Sequence, residues 1–91
     1  TLQQAFREVA DVLVTRDTLQ EQWQQQNLAL NSMREREKLV EMRHRLGAAS
    51  LQEWLDAQRD LMQAEQAQVQ TQRLWLGATA QLFKALGGGD L

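Results

Sequence analysis

The sequence predicts an all-α fold, a long antiparallel two-helix coiled-coil hairpin, on three observations. Apolar residues recur at alternating steps of four and three along most of the chain, and a mean step of about 3.5 marks coiled-coil packing. Gln, Leu, Ala, Glu and Arg dominate and Pro is absent, which is the composition of long helices. The one interruption is the stretch from Arg43 to Arg59, which holds the parts of a tight helix–turn–helix. Ninety-one residues make one domain at most.

Helix one is predicted from about Leu2 to Arg45, roughly 65 Å at the α-helical rise. Its seam is Ala5, Val9, Val12, Arg16, Leu19, Trp23, Gln26, Leu30, Met33, Glu37, Val40 and His44. A second, shorter stripe is Leu2, Phe6, Val9 and Leu13. These residues are already in register at the first turn with no cap before them, so a piece of a larger protein is expected.

The turn is predicted over residues 46–50. Arg43, His44 and Arg45 close helix one, where the macrodipole is negative. Gly47 follows as a left-handed cap. Ser50 and Glu53 form a Ser-x-x-Glu capping box that opens helix two.

Helix two is predicted from about Leu51 to Leu86, roughly 55 Å. Leu51, Leu55, Gln58, Met62, Glu65, Val69, Gln72, Leu76, Thr79, Phe83 and Leu86 are expected to form its seam, facing helix one. Trp54, Leu61, Trp75 and Leu82 are expected to lie off the seam, towards further helices. Gly77 inside the helix costs about 1 kcal/mol relative to Ala and permits close approach by a neighbour. The Gly-rich end, 87–91, stops the helix. In an antiparallel hairpin turning near Gly47 and Ala48, facing residues have numbers totalling about 95. The two seams meet that condition, as in Val40 with Leu55, Met33 with Met62 and Val12 with Phe83. Arg16, Gln26, Glu37, Gln58, Glu65 and Gln72 put polar layers on the seams, so a lone hairpin is marginal.

Charge and motifs narrow the function. The net charge is −2, and the Arg and Lys residues of 34–45 alternate with Glu35, Glu37 and Glu41. That is a solvated face with local pairs such as Glu41 to Arg45, without the basic stripe of a nucleic-acid binder. The three tryptophans read as packing knobs. No stretch approaches a membrane-spanning helix. No signal peptide or lipidation motif is visible. His44 has no Cys and no second His beside it, so no metal site is expected. No cofactor is expected either. Glu53 and Asp56 share a helical face, but a two-helix hairpin offers no pocket for acid–base chemistry, and no enzyme is expected. On the residues alone, capping and dipole compensation explain both carboxylates.

Four segments together carry a resemblance. They are Leu2-Gln3-Gln4-Ala5-Phe6-Arg7-Glu8-Val9-Ala10-Asp11, the turn Arg45-Leu46-Gly47-Ala48, the stretch Leu55-Asp56-Ala57-Gln58-Arg59, and Lys84-Ala85-Leu86-Gly87-Gly88-Gly89. In order and spacing the chain resembles the C-terminal periplasmic hairpin of TolC-like outer-membrane efflux proteins. The resemblance implies a trimeric parent in the outer membrane, with membrane β-strands absent from this segment. Its helices would form a periplasmic α-barrel that docks a periplasmic adaptor protein and works with an inner-membrane transporter. Such a duct exports small molecules, drugs or metals, or serves type I secretion. It also implies that Leu46, Gly47 and Ala48, flanked by Arg43 and Arg45, match the tip motif that meets the adaptor. Glu53 and Asp56 match positions of acidic rings that narrow the entrance. His44 stands where the family commonly has Tyr holding the tip closed, and a His there implies pH-sensitive closure. Gln52 and Trp54 depart from the family's smaller or more apolar residues beside the entrance. The competing reading is a structural coiled-coil module, an adaptor-type hairpin or bundle scaffold, without a transport role of its own.

Overall fold

The computed structural model describes residues 2–87. It contains two helices, α1 (Leu2–Arg45) and α2 (Leu51–Ala85), and no strand among the described residues. The fold is the expected all-α, antiparallel helical hairpin. Gly88 and Gly89 of the predicted Gly-rich end lie outside the described residues. The chain divides into two compact units. The turn unit is Gln24–Val69, and the terminal unit is Thr1–Trp23 with Gln70–Leu91.

In the turn unit, α1 stops in a Schellman motif. The Ala48 N–H donates to the Arg43 carbonyl at 2.7 Å and the Gly47 N–H to the His44 carbonyl at 3.0 Å. Gly47 sits at φ 78°, the left-handed region that a side chain disfavours. Val40, Ala49 and Ala57 form the buried cluster beside the turn, with Trp54 packed against it. Further along, Leu30 is only 2% exposed. Half-buried polar residues between the helices find partners across the hairpin. Gln68 Nε2 donates to Asn27 Oδ1 at 3.2 Å, and Trp54 Nε1 donates to Glu37 Oε1 at 3.1 Å. Arg36 pairs with Asp60 at 2.8 Å on the exposed flank.

Gln26 is the exception: its Oε1 is buried and has no hydrogen-bond partner. An unsatisfied buried acceptor costs about 1–3 kcal/mol. Gln26→Leu, which keeps a similar length without the amide, is therefore expected to raise stability by about 1 kcal/mol. Urea unfolding followed by circular dichroism reads this as a higher midpoint at constant slope.

In the terminal unit the buried residues are Val12, Ala78 and Thr71. Arg16, a charge on the α1 seam, is accommodated by two contacts. Its Nε donates to Thr79 Oγ1 at 3.1 Å, and its guanidinium lies 5.2 Å over the Trp75 ring. Thr79 Oγ1 donates in turn to the Trp75 carbonyl. At the end of α2, Gly87 at φ 80° donates its N–H to the Lys84 carbonyl. Gly77 is exposed, and a Cβ there would meet nothing within 4 Å among the described residues, so none of them makes use of its small size.

The expected register holds inside each unit. Asn27 meets Gln68 in one, and Arg16 meets Thr79 in the other, both totalling about 95 as a short antiparallel turn requires. The α1 seam is also as expected: from Val9 to His44 its members are buried or half-buried, with Trp23 just into the exposed range and Ala5 exposed. The α2 seam is not. Leu51, Leu55, Gln58, Met62, Glu65, Val69, Gln72, Leu76, Phe83 and Leu86 are exposed, and of the expected series Thr79 alone is half-buried. The covered stripe is Trp54, Ala57, Leu61, Ala64, Gln68, Thr71, Trp75, Ala78, Leu82 and Ala85, one residue earlier throughout. Trp54, Leu61, Trp75 and Leu82 thus pack within the hairpin instead of facing away from it.

The reason lies in what α1 presents. Glu37 and Arg16 need partners that a Leu or Met cannot supply. An indole N–H, an indole face and a threonine hydroxyl supply them. Alanines between the large residues let the backbones approach. The covered stripe also repeats. Trp54, Ala57, Leu61 and Ala64 recur three heptads later as Trp75, Ala78, Leu82 and Ala85. Their counterparts on α1, Glu37 and Arg16, are separated by the same three heptads.

Candidate functional site at the turn

The turn gathers the residues singled out by the sequence. Leu46 is 78% exposed, and Gly47 and Ala48 are exposed beside it. A Cβ at Gly47 would meet nothing within 4 Å, so the surface above it is open. The Leu46-Gly47-Ala48 surface is therefore small and accessible, held by backbone hydrogen bonds beneath it.

Arg43 braces the turn from the α1 side. Its Nη2 donates to the Ala48 carbonyl at 3.1 Å, and its Nη1 lies 4.0 Å from Glu53 Oε2. Arg45 pairs with Glu41 at 2.6 Å, the i,i+4 pair expected from the sequence. Both pairs are exposed, and such pairs contribute about 0–1 kcal/mol each. Ser50 Oγ accepts the Glu53 N–H at 3.1 Å, which forms the forward half of the capping box. The Glu53 carboxylate turns instead towards Arg43.

Asp56 is half-buried. Its Oδ1 accepts from Gln52 Nε2 and from Arg59 Nη2, each at 3.0 Å. Gln52 thus orients Asp56, while Arg59 partly balances its charge. The two carboxylates, one turn apart, engage different cations. His44 is half-buried and stacks on Trp54, ring centroids 5.2 Å apart and tilted by 30°. His44 Nδ1 lies 3.0 Å from the Ala49 carbonyl, which can only accept, so Nδ1 carries the proton.

Trp54 is the residue whose role the sequence did not disclose. It joins Glu37, His44 and the Val40–Ala49–Ala57 cluster in one contact set. No group of His, Cys, Asp and Glu among the described residues could hold a metal ion. Among the described residues no helix is long and apolar enough to cross a membrane.

The family model for outer membrane efflux proteins matches residues 1–88. The chain belongs to the outer membrane efflux protein family. A probable efflux pump outer membrane protein, TtgC of Pseudomonas putida, is 42% identical over 89 residues. That match covers 98% of this chain and 18% of the relative. The antibiotic efflux pump outer membrane protein ArpC of Pseudomonas putida matches equally, with 42% identity over the same 98% and 18%. The outer membrane protein OprJ of Pseudomonas aeruginosa is 39% identical, over 98% of this chain and 19% of its own length. This outer membrane efflux chain therefore spans about a fifth of the length of the curated relatives it matches. No solved structure matches it.

Proposed function

We propose that the chain is a periplasmic duct segment of an outer-membrane efflux channel, and that its turn docks a periplasmic adaptor and gates the entrance. The parent would be a trimer working with an inner-membrane transporter. Relatives named for toluene, solvent and antibiotic efflux support small organic molecules as cargo. No covalent chemistry is required of a duct that its partners open and close.

The observation that carries this reading is the exposed Leu46-Gly47-Ala48 surface on a rigid Schellman turn, flanked by Arg43 and Arg45. A small, preorganised tip costs little ordering entropy on docking. In this reading Asp56 and Glu53, just behind it on α2, serve as the acidic residues of the entrance. His44 holds the Ala49 carbonyl and thereby the turn. The exposed stripe Leu51, Leu55, Met62, Val69, Leu76 and Phe83 suits the wall of a barrel, in which each helix has neighbours on two sides. The same stripe also suits a plain bundle scaffold, which is the alternative.

Analytical ultracentrifugation separates the two. The chain is mixed with the helical hairpin of a periplasmic adaptor and compared with Gly47→Asn and Gly47→Trp. Asn tolerates the left-handed conformation, so this variant keeps the complex. Trp projects into the open space above the turn and also strains it at φ 78°, and is expected to weaken the complex at least about tenfold, or about 1.4 kcal/mol. A self-assembled bundle that ignores every adaptor would overturn docking in favour of the scaffold.

A further inference from the structure

Gln20, Trp23, Gln72 and Trp75 of the terminal unit line an open-sided cleft of about 210 Å³. None of these side chains carries a charge, and two are indoles. We propose that this cleft binds a flat, uncharged, single-ring aromatic molecule, which stacks on the two indoles while the glutamine amides meet a hydroxyl on its edge.

Three observations support this. The first is size: an apolar cavity of about 150 Å³ accommodates benzene, so this cleft has room for one substituted ring. The second is the three-heptad repeat. Trp23 and Trp75 stand where His44 and Trp54 stand in the turn unit. There the two rings touch, with centroids 5.2 Å apart. Among the described residues no ring contact joins Trp23 to Trp75, and the cleft occupies their place instead. The third is preorganisation. The Arg16 guanidinium lies over the Trp75 ring and donates to Thr79, which fixes the indole, yet Arg16 does not line the cleft. The indole surface facing the cleft remains available for stacking, and offset or edge-on aromatic pairs gain more than area burial alone. Each amide offers both a donor and an acceptor to a hydroxyl.

Two-dimensional NMR of the three indole N–H signals in the full chain, titrated with phenol, tests the assignment. Cyclohexanol, with the same hydroxyl and no flat ring, is the control. The Trp23 and Trp75 signals are expected to shift saturably with phenol while Trp54 stays still. Cyclohexanol should need at least about ten times the concentration for the same shift. Trp23→His copies the arrangement of the turn unit and should weaken phenol binding at least about tenfold by closing the gap. Gln72→Phe, at an exposed position, plugs the cleft with a tethered ring and should abolish the shifts even if Trp23→His loses helix. Equal shifts at all three indoles, equal response to cyclohexanol, or shifts that persist in Gln72→Phe would overturn the proposal. So would shifts that follow protein concentration, which would mean that a second copy fills the cleft.

Discussion

Leu30→Ala is expected to lower the stability of the chain by about 3 kcal/mol, within the range of roughly 2–5 for truncating a buried leucine. Leu30 is 2% exposed and is the one large side chain described as fully buried. On the α1 seam it lies within a turn of Asn27, whose side chain hydrogen-bonds Gln68, so the layer beside it is polar and cannot collapse into the space left behind. Small domains have about 5–15 kcal/mol in total. A hairpin with polar seam layers lies at or below the low end, so this loss removes much of its stability. Leu28→Ala is the control, because Leu28 is 62% exposed and its truncation should cost within about 0.5 kcal/mol. Urea unfolding followed by helical circular dichroism reads both. Equal midpoints for the two variants would show that the buried seam does not hold the hairpin together.

Trp54→Ala is expected to cost a similar amount, about 3 kcal/mol, for a different reason. One side chain packs on Val40, Ala49 and Ala57, stacks on His44 and donates to Glu37. Trp54→Phe separates these contributions. It keeps most of the packing and leaves the half-buried Glu37 carboxylate without its donor, which costs about 1–2 kcal/mol. Adding Glu37→Leu to Trp54→Phe should recover most of that loss, since removing both polar partners is far cheaper than orphaning one. A double-mutant cycle measures the coupling. Additive losses would mean that Glu37 is satisfied by water and that the hydrogen bond contributes nothing.

The tip was legible in the sequence because its signals are local. A glycine after three basic residues, then Ser-x-x-Glu, defines a cap, a turn and a helix start within a few positions, and the structure forms that turn. The α1 seam was legible because α1 carries a single long heptad stripe. On α2 two stripes compete one residue apart, and periodicity alone favours the one richer in Leu, Met, Val and Phe. Hydrophobicity measures the wish to be covered, not by which partner. The choice was made by Arg16 and Glu37, whose needs are met by Trp75, Thr79 and Trp54 across the hairpin. Such a preference is pairwise and long-range, with Arg16 and Thr79 63 positions apart in sequence. The cleft was illegible for the same reason: Trp23 and Trp75 read as packing knobs until the register showed a gap between them.

The single-position offset between the two α2 stripes has a genetic consequence. Deleting the codon for Leu61 slides every later residue back by one place. Met62, Val69, Leu76 and Phe83 then fall on the covered face, with Glu65, Gln72 and Thr79 between them. The repeat's second tryptophan would be carried to the outside. A lineage could thus exchange the inner and outer surfaces of this helix in one mutational event while every heptad stays in phase.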